Sequence, residues 1–380
     1  MPSASSDENE VALPSPPSDG VTALRFAPSL GATDTLVASS WDATLRLYAL
    51  GGPNAVGAPN ALALTRQAES PLLDCDFVGG DAATVASGGL DGVVRLHTAL
   101  DTRREAGSGS GVGLVGSQVS ADATTTRVLG SHEGGGARCV RSCAAAGPAC
   151  LVSGAWDASL KVWDVRAATP CVGTFEQPGK VLSLCTGTAA GAPPSGPPLL
   201  VAAFTDRQIA LVDLRRPGEP LQRYESSLKC QTRCVAQNPA GDSFSLGSVE
   251  GRVAVEYVDP SDEAQARRYA FKCHRMPVGG VDTAFPVNAI AFHPRHGTFA
   301  TGGGDGHVFV WDGAKKKRIC SLKRYPTSVA CMAFSPGGDT LAVASSYTYE
   351  NGEQAHPPDA IFVRKVADVD VRPKAPKAAA

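Results

Sequence analysis

The chain has 380 residues, 43% of them hydrophobic and 19% charged, enough to bury a large core. A formal net charge of -2 excludes an overall pull toward nucleic acid or anionic membrane, and no apolar run approaches the ~18 residues of a membrane span. Glycine (41) and proline (28) are abundant, which suits many short strands joined by tight turns.

In chain order, residues 1–8 open a polar, acidic segment, "MPSASSDENE", expected to be disordered and unlike a signal peptide. "EVALP" is a short strand, "VTALRFAPS" a second, and "LVASSWDATLRLYAL" two more around a turn at Asp42. "TVASGGLDGVVRLHTAL" repeats the strand, turn and strand around Asp91. A Gly/Ser-rich insertion follows at about 102–136, expected to be a flexible loop without chemistry. The pattern returns in "LVSGAWDASLKVWDVR" around Asp157 and weakly in "LLVAAFTDRQIALVDLR" around Asp206. It recurs in "FSLGSVEGRVAVEYVDP" around Glu250 and "FATGGGDGHVFVWDG" around Asp305. A last unit, "TSVACMAFSPGGDTLAVASSYTYE" with "AIFVRKV", supplies three strands, and residues 367–380 read as a mobile tail.

The copies share a register. Ser153, Asp157 and Trp163 fall at offsets 0, +4 and +10, as do Thr301, Asp305 and Trp311, and Ser87, Asp91 and His97. This period, with its terminal Trp-Asp, resembles the WD40 repeat family. One such unit cannot bury both of its faces, so copies must stack around a ring. The expected fold is an all-β, seven-bladed propeller over residues 9–366, closed by the N-terminal strand as the fourth strand of blade seven. The resemblance also implies that the turn Asp bonds a His from an earlier loop and a Ser or Thr that reaches the Trp. His132, Ser153, Asp157 and Trp163 match that tetrad, and so do His274, Thr301, Asp305 and Trp311. These are structural staples rather than a catalytic triad.

Eleven cysteines, an odd number, show no CxxC pair, and no His set has metal spacing. They read as reduced, mostly buried thiols of an intracellular protein with neither metal nor cofactor. No P-loop and no GxSxG is present, so no enzyme is expected.

Function is written where the copies depart from the repeat. "EGRVAVEY" followed by "AFKCHR", with "ESSLKCQTRC", "KRYPTSVA" and "LAVASSYTYE", resembles the spindle-checkpoint WD-repeat proteins of the Bub ("budding uninhibited by benzimidazoles") group, from about Gly20 to Val366. A sister branch, the nuclear-pore mRNA-export WD-repeat factors, shares part of that text and is the alternative reading, which would bind nucleoporin GLEBS segments and RNA. The resemblance implies a non-enzymatic adaptor of nucleus and kinetochore, present also in cytoplasm. It would bind GLEBS segments of checkpoint kinases or pseudokinases, as a heterodimer, and phosphorylated Met-Glu-Leu-Thr repeats of a kinetochore scaffold. Membrane is excluded and nucleic acid is not expected. The resemblance assigns the anion to Arg233, in "QTR", and Arg252, in "EGR". Arg presents a planar fork that pairs with two oxygens of a carboxylate or phosphate, and a phosphothreonine offers three acceptor oxygens. Lys229 and Lys180 are weaker members of the same patch. Trp41 and Trp156 precede the turn Asp in a slot that does not require an aromatic, which suits peptide anchors. Glu263 is expected in partner contact in the loop after blade five. Cys230 stands where this group usually has an aromatic.

Overall fold

The computed structural model describes residues 9–28, 34–51, 60–80, 82–98, 125–143, 146–147, 149–187 and 198–373. Seven four-stranded antiparallel sheets are arranged as the blades of a propeller. The innermost strands are Val21–Phe26, Leu72–Phe77, Cys139–Ser142, Val181–Thr186, Thr232–Gln237, Val287–Phe292 and Val329–Phe334. In blades one to six the next three strands follow outward in sequence. In blade seven the outermost strand is Glu10–Ala12, paired antiparallel with Ala360–Lys365.

Burial follows this layering. Second strands such as Leu199–Phe204 and Ser243–Ser248 are buried at every position. Outer strands such as Cys171–Glu176 and Pro220–Glu225 alternate half-buried with exposed, the signature of a sheet edge with one wet face. The cores lie between blades. Leu24, Leu36 and Tyr48 of blade one pack with Ile361 and Val363 of blade seven, and Val152 and Leu160 of blade three pack with Leu184 and Leu200 of blade four. Each fully buried leucine contributes about 1.5–3 kcal/mol, and it does so only against the neighbouring blade. Closure therefore carries much of the stability.

Two electrostatic devices fix the ring. At the seam, the carboxylate of Glu10 is 1% exposed. It accepts from the Tyr325 hydroxyl at 2.9 Å and pairs with Lys323 at 2.8 Å and Arg364 at 3.8 Å. Inside the channel, buried Asp74 pairs with Arg25 at 3.3 Å and with Arg141, and accepts from the Val140 amide at 3.0 Å. The innermost strands of blades one, two and three are thereby tied across the channel wall.

Several boundaries differ from the sequence expectation. The insertion expected at 102–136 ends earlier, because Thr126–Ser131 is the outer strand of blade two; its portion to 124 lies outside the described residues. The tail does not become mobile at 367. Asp368–Val371 forms a short helix whose Val371 is buried, held by Thr298 Oγ1–H donating to the Val371 carbonyl at 2.6 Å and by His296 with Asp368 at 2.7 Å. Residues 1–8 and 374–380 lie outside the described residues. A hairpin, Arg275–Val278 with Val281–Ala284, stands between blades five and six.

Candidate peptide-binding face

The innermost strand of every blade begins at one face of the ring, here termed upper, and the turn between second and third strands returns to it. The His-centred staples lie just below that face. In blade three, His132 Nδ1 meets Asp157 at 3.2 Å and His132 Nε2 meets Ser153 Oγ at 2.7 Å, while Trp163 Nε1–H donates to Ser153 Oγ at 2.8 Å. Blade six repeats this. His274 contacts Asp305 at 2.8 Å and Thr301 at 3.0 Å, and Trp311 Nε1–H donates to Thr301 at 2.9 Å. Burial lowers the pKa of His132, so its imidazole stays neutral. In blade five the same slot holds a carboxylate, which sequence reasoning missed. Glu256 is paired opposite Phe244 as Trp163 is opposite Leu151. It accepts from the Tyr224 hydroxyl at 2.6 Å and Ser227 Oγ–H at 2.8 Å, and Arg268 stands at 3.5 Å. Blade five is thus stapled to blade four through a buried acid.

These staples hold the upper turns in place, and the turns carry the candidate residues. Arg233 is the second residue of its innermost strand, at a register shift between Thr232 and Cys234. Such a bulge re-aims its side chain, and Arg233 lines the mouth of a central channel of about 690 Å³. Among the described residues it has no ion-pair partner. Its pKa is lowered, first by burial and then by the charge of Arg138. Arg138 lines the same mouth from blade three, with Nη1–H donating to the Leu73 carbonyl at 3.4 Å. Arg252 opens the third strand of blade five, after a turn that requires Gly251: its φ is +70°, and a Cβ there would meet the His274 carbonyl oxygen at 2.4 Å. Within the sheet, the strands of Arg233 and Arg252 are parallel and flank one strand, so both arginines start at the upper face, roughly 10 Å apart in backbone. Arg252 is already engaged, with Nε 3.7 Å from Glu250. Lys180 and Lys229 are exposed at the same face, just before the innermost strands of blades four and five.

Trp41 is 41% exposed in the upper turn of blade one. Trp156 is half-buried in blade three, over Gly135 and Gly136, where an added Cβ would lie 3.1 and 3.3 Å from its side chain. The same turn position shows Leu90 and Val249, each 39% exposed, so the upper face has a broken apolar ring. Glu263 differs in position from the loop expected after blade five. It lies in the helix Asp262–Ala266 between the third and outer strands of blade five, on the lower face, because the third strand runs away from Arg252. The structure does not bring it together with the arginines. Arg138 was missed although the text signals it: "RCV" occurs at 138–140 and again at 233–235, in the same place in two blades.

The upper face thus sets Arg233 and Arg138, neither in an ion pair among the described residues, at the channel mouth, with Trp41 and Trp156 on the turns around it. The ring and its staples define a WD40-repeat propeller, and the family model "WD domain, G-beta repeat" matches residues 123–164 and 269–312. The chain is 42% identical over 366 residues to "Mitotic checkpoint protein BUB3.1" of Arabidopsis thaliana, covering 95% of this chain and 94% of the relative. It is 37% identical to "Mitotic checkpoint protein bub-3" of Caenorhabditis elegans, covering 96% of each. Similarity to "mRNA export factor GLE2" of Chaetomium thermophilum is 33%, over 97% of this chain and 93% of the relative. The chain belongs to the Bub3 mitotic-checkpoint family of WD40 proteins, with the export factors as a sister branch.

Proposed function

We propose that this protein is a non-enzymatic adaptor of the spindle checkpoint whose upper face binds GLEBS segments of checkpoint kinases and phosphorylated Met-Glu-Leu-Thr repeats of a kinetochore scaffold. In this reading it brings the kinase to kinetochores. The observation that carries it is Arg233, half-buried at the channel mouth beside Arg138 with no ion-pair partner. A desolvated, unpaired guanidinium is costly, and a bound carboxylate or phosphate offsets that cost with charge-assisted hydrogen bonds. Arg252, Lys180 and Lys229 extend the basic surface, and Trp41 anchors the backbone of the bound segment.

The test is binding of phosphorylated and unphosphorylated Met-Glu-Leu-Thr peptides, and of a GLEBS peptide, to wild type, Arg233→Ala and Arg252→Ala. Loss of one charge-assisted bond costs about 1.5–3 kcal/mol, or roughly ten- to a hundred-fold in affinity. Equal affinity for both peptide forms overturns the phosphate reading. Salt-sensitive, sequence-indifferent RNA binding with no peptide affinity would place the chain with the export factors instead.

A further inference from the structure

The lower end of blade three carries chemistry that neither the repeat nor the upper face uses. The innermost strand Cys139–Ser142 pairs antiparallel with Cys150–Gly154, with Ser142 opposite Leu151. One step beyond, Cys143 stands opposite Cys150, and its amide donates to the Cys150 carbonyl at 2.9 Å. Directly opposed residues in such a pair have Cα atoms about 4.5–5.5 Å apart, inside the roughly 4.4–6.8 Å span of a disulfide. Directly opposed side chains leave a sheet on the same face, so the two thiols are neighbours, and the Cys143 Sγ–H donates to the Arg141 carbonyl at 3.6 Å. Both are free thiols, Cys143 buried and Cys150 half-buried.

We propose that Cys143 and Cys150 are a peroxide-sensitive thiol pair that closes to an intrachain disulfide. Access makes Cys150 the attacking sulfur. Its thiolate takes one oxygen from a hydroperoxide; the O–O bond breaks, Cys150 becomes a sulfenic acid, and hydroxide leaves. Cys143 sulfur then attacks the sulfenic sulfur, forming the S–S bond and expelling water as its own proton is lost. In sum, two thiols and one hydrogen peroxide give one disulfide and two waters. The electrostatics support this order: the neighbouring Cys143 thiol lowers the pKa of Cys150, while the Cys150 thiol and burial raise that of Cys143. Thiolate character governs such reactivity. Burial raises the pKa of Cys75, Cys139, Cys185, Cys234, Cys273 and Cys331 instead, and these stay inert.

Trypsin releases Ser142–Lys161, which contains Cys143 and Cys150 and no other cysteine. The full-length protein is treated with substoichiometric hydrogen peroxide, denatured, alkylated with iodoacetamide and digested. The expected result is that this peptide appears two hydrogens lighter and unalkylated before other cysteine peptides lose alkylation. In Cys143→Ser the disulfide is absent and dimedone labels Cys150; in Cys150→Ser labelling of Cys143 falls at least ten-fold below that. A Ser142–Lys161 peptide that still takes two alkyl groups after other thiols have been consumed overturns the proposal. Dimedone found on Cys143 in preference to Cys150 overturns the assigned order.

Discussion

Arg233 is where stability and binding pull in opposite directions. Its guanidinium is held away from water beside the like charge of Arg138, and both effects lower its pKa. Arg233→Met keeps the stem and removes the charge, so it should raise the thermal midpoint while abolishing peptide binding. A parallel pair of melting and titration experiments checks this, and a fall in midpoint would mean that the charge is satisfied within the free protein. Arg138→Ala should weaken the same acidic peptide by about 1.5–3 kcal/mol, with Arg138→Lys recovering only part, since Lys is a point charge rather than a fork. At this scale the sequence was informative only where the repeat supplied a template. Trp163 and Asp157 could be aligned by offset. Arg138 could be reached through its shared tripeptide with Arg233. Glu256 falls in the Trp slot by the same offset, but its role could not be read, because its partners Tyr224 and Ser227 come from the text before blade five and no periodicity links them.

Single elements were legible where they have both a buried face and a turn signal. The closing strand Glu10–Ala12 has only three residues, and its Val11 is exposed, so hydrophobic burial alone does not hold it. Glu10 does, through the buried cluster of Tyr325, Lys323 and Arg364. Removing one member of a buried ion pair typically costs about 3–5 kcal/mol, because the remaining charge is left desolvated. Glu10→Gln should therefore lower the unfolding free energy read from urea titration by that much, with the ring still able to form. The double substitution Glu10→Gln with Arg364→Met should recover a large part. An effect below ~1 kcal/mol would show the seam to be held mainly by backbone pairing. The helix Asp368–Val371 illustrates the opposite case. One buried residue, Val371, in an acidic stretch gives no periodic signal, and only the proximity of His296 and Thr298 in the folded ring makes the segment pack.

Over the whole molecule, buried histidines make the ring sensitive to acid. His97 and His293 are buried, and desolvation brings each pKa down to about 4, against an ordinary unfolded value near 6.5. Both are neutral in the folded ring throughout the interval between those values, whereas the unfolded chain takes up a proton at each. Stability is thus fully present above about pH 6.5 and is lost as pH falls toward 4, at about 1.4 kcal/mol per pH unit for each histidine. Carboxylates such as Asp305, whose pKa is lowered chiefly by the hydrogen bond from His274 acting against burial, add their loss only below the ordinary carboxylate range. Asp76 opposes the trend, since burial raises its pKa and protonation relieves the strain of keeping that charge inside the channel wall. The net expectation is a urea midpoint that declines from pH 7 to pH 5, before carboxylates titrate. His97→Gln retains a donor for Ser87, whose hydroxyl sits 2.9 Å from His97 Nε2, and carries no titrating group. The variant should lose less stability than wild type between pH 6.5 and pH 5, by roughly 1–2 kcal/mol. Identical pH slopes for the two proteins would mean that His97 is protonated in the folded ring, and the neutral staple of blade two would have to be redrawn.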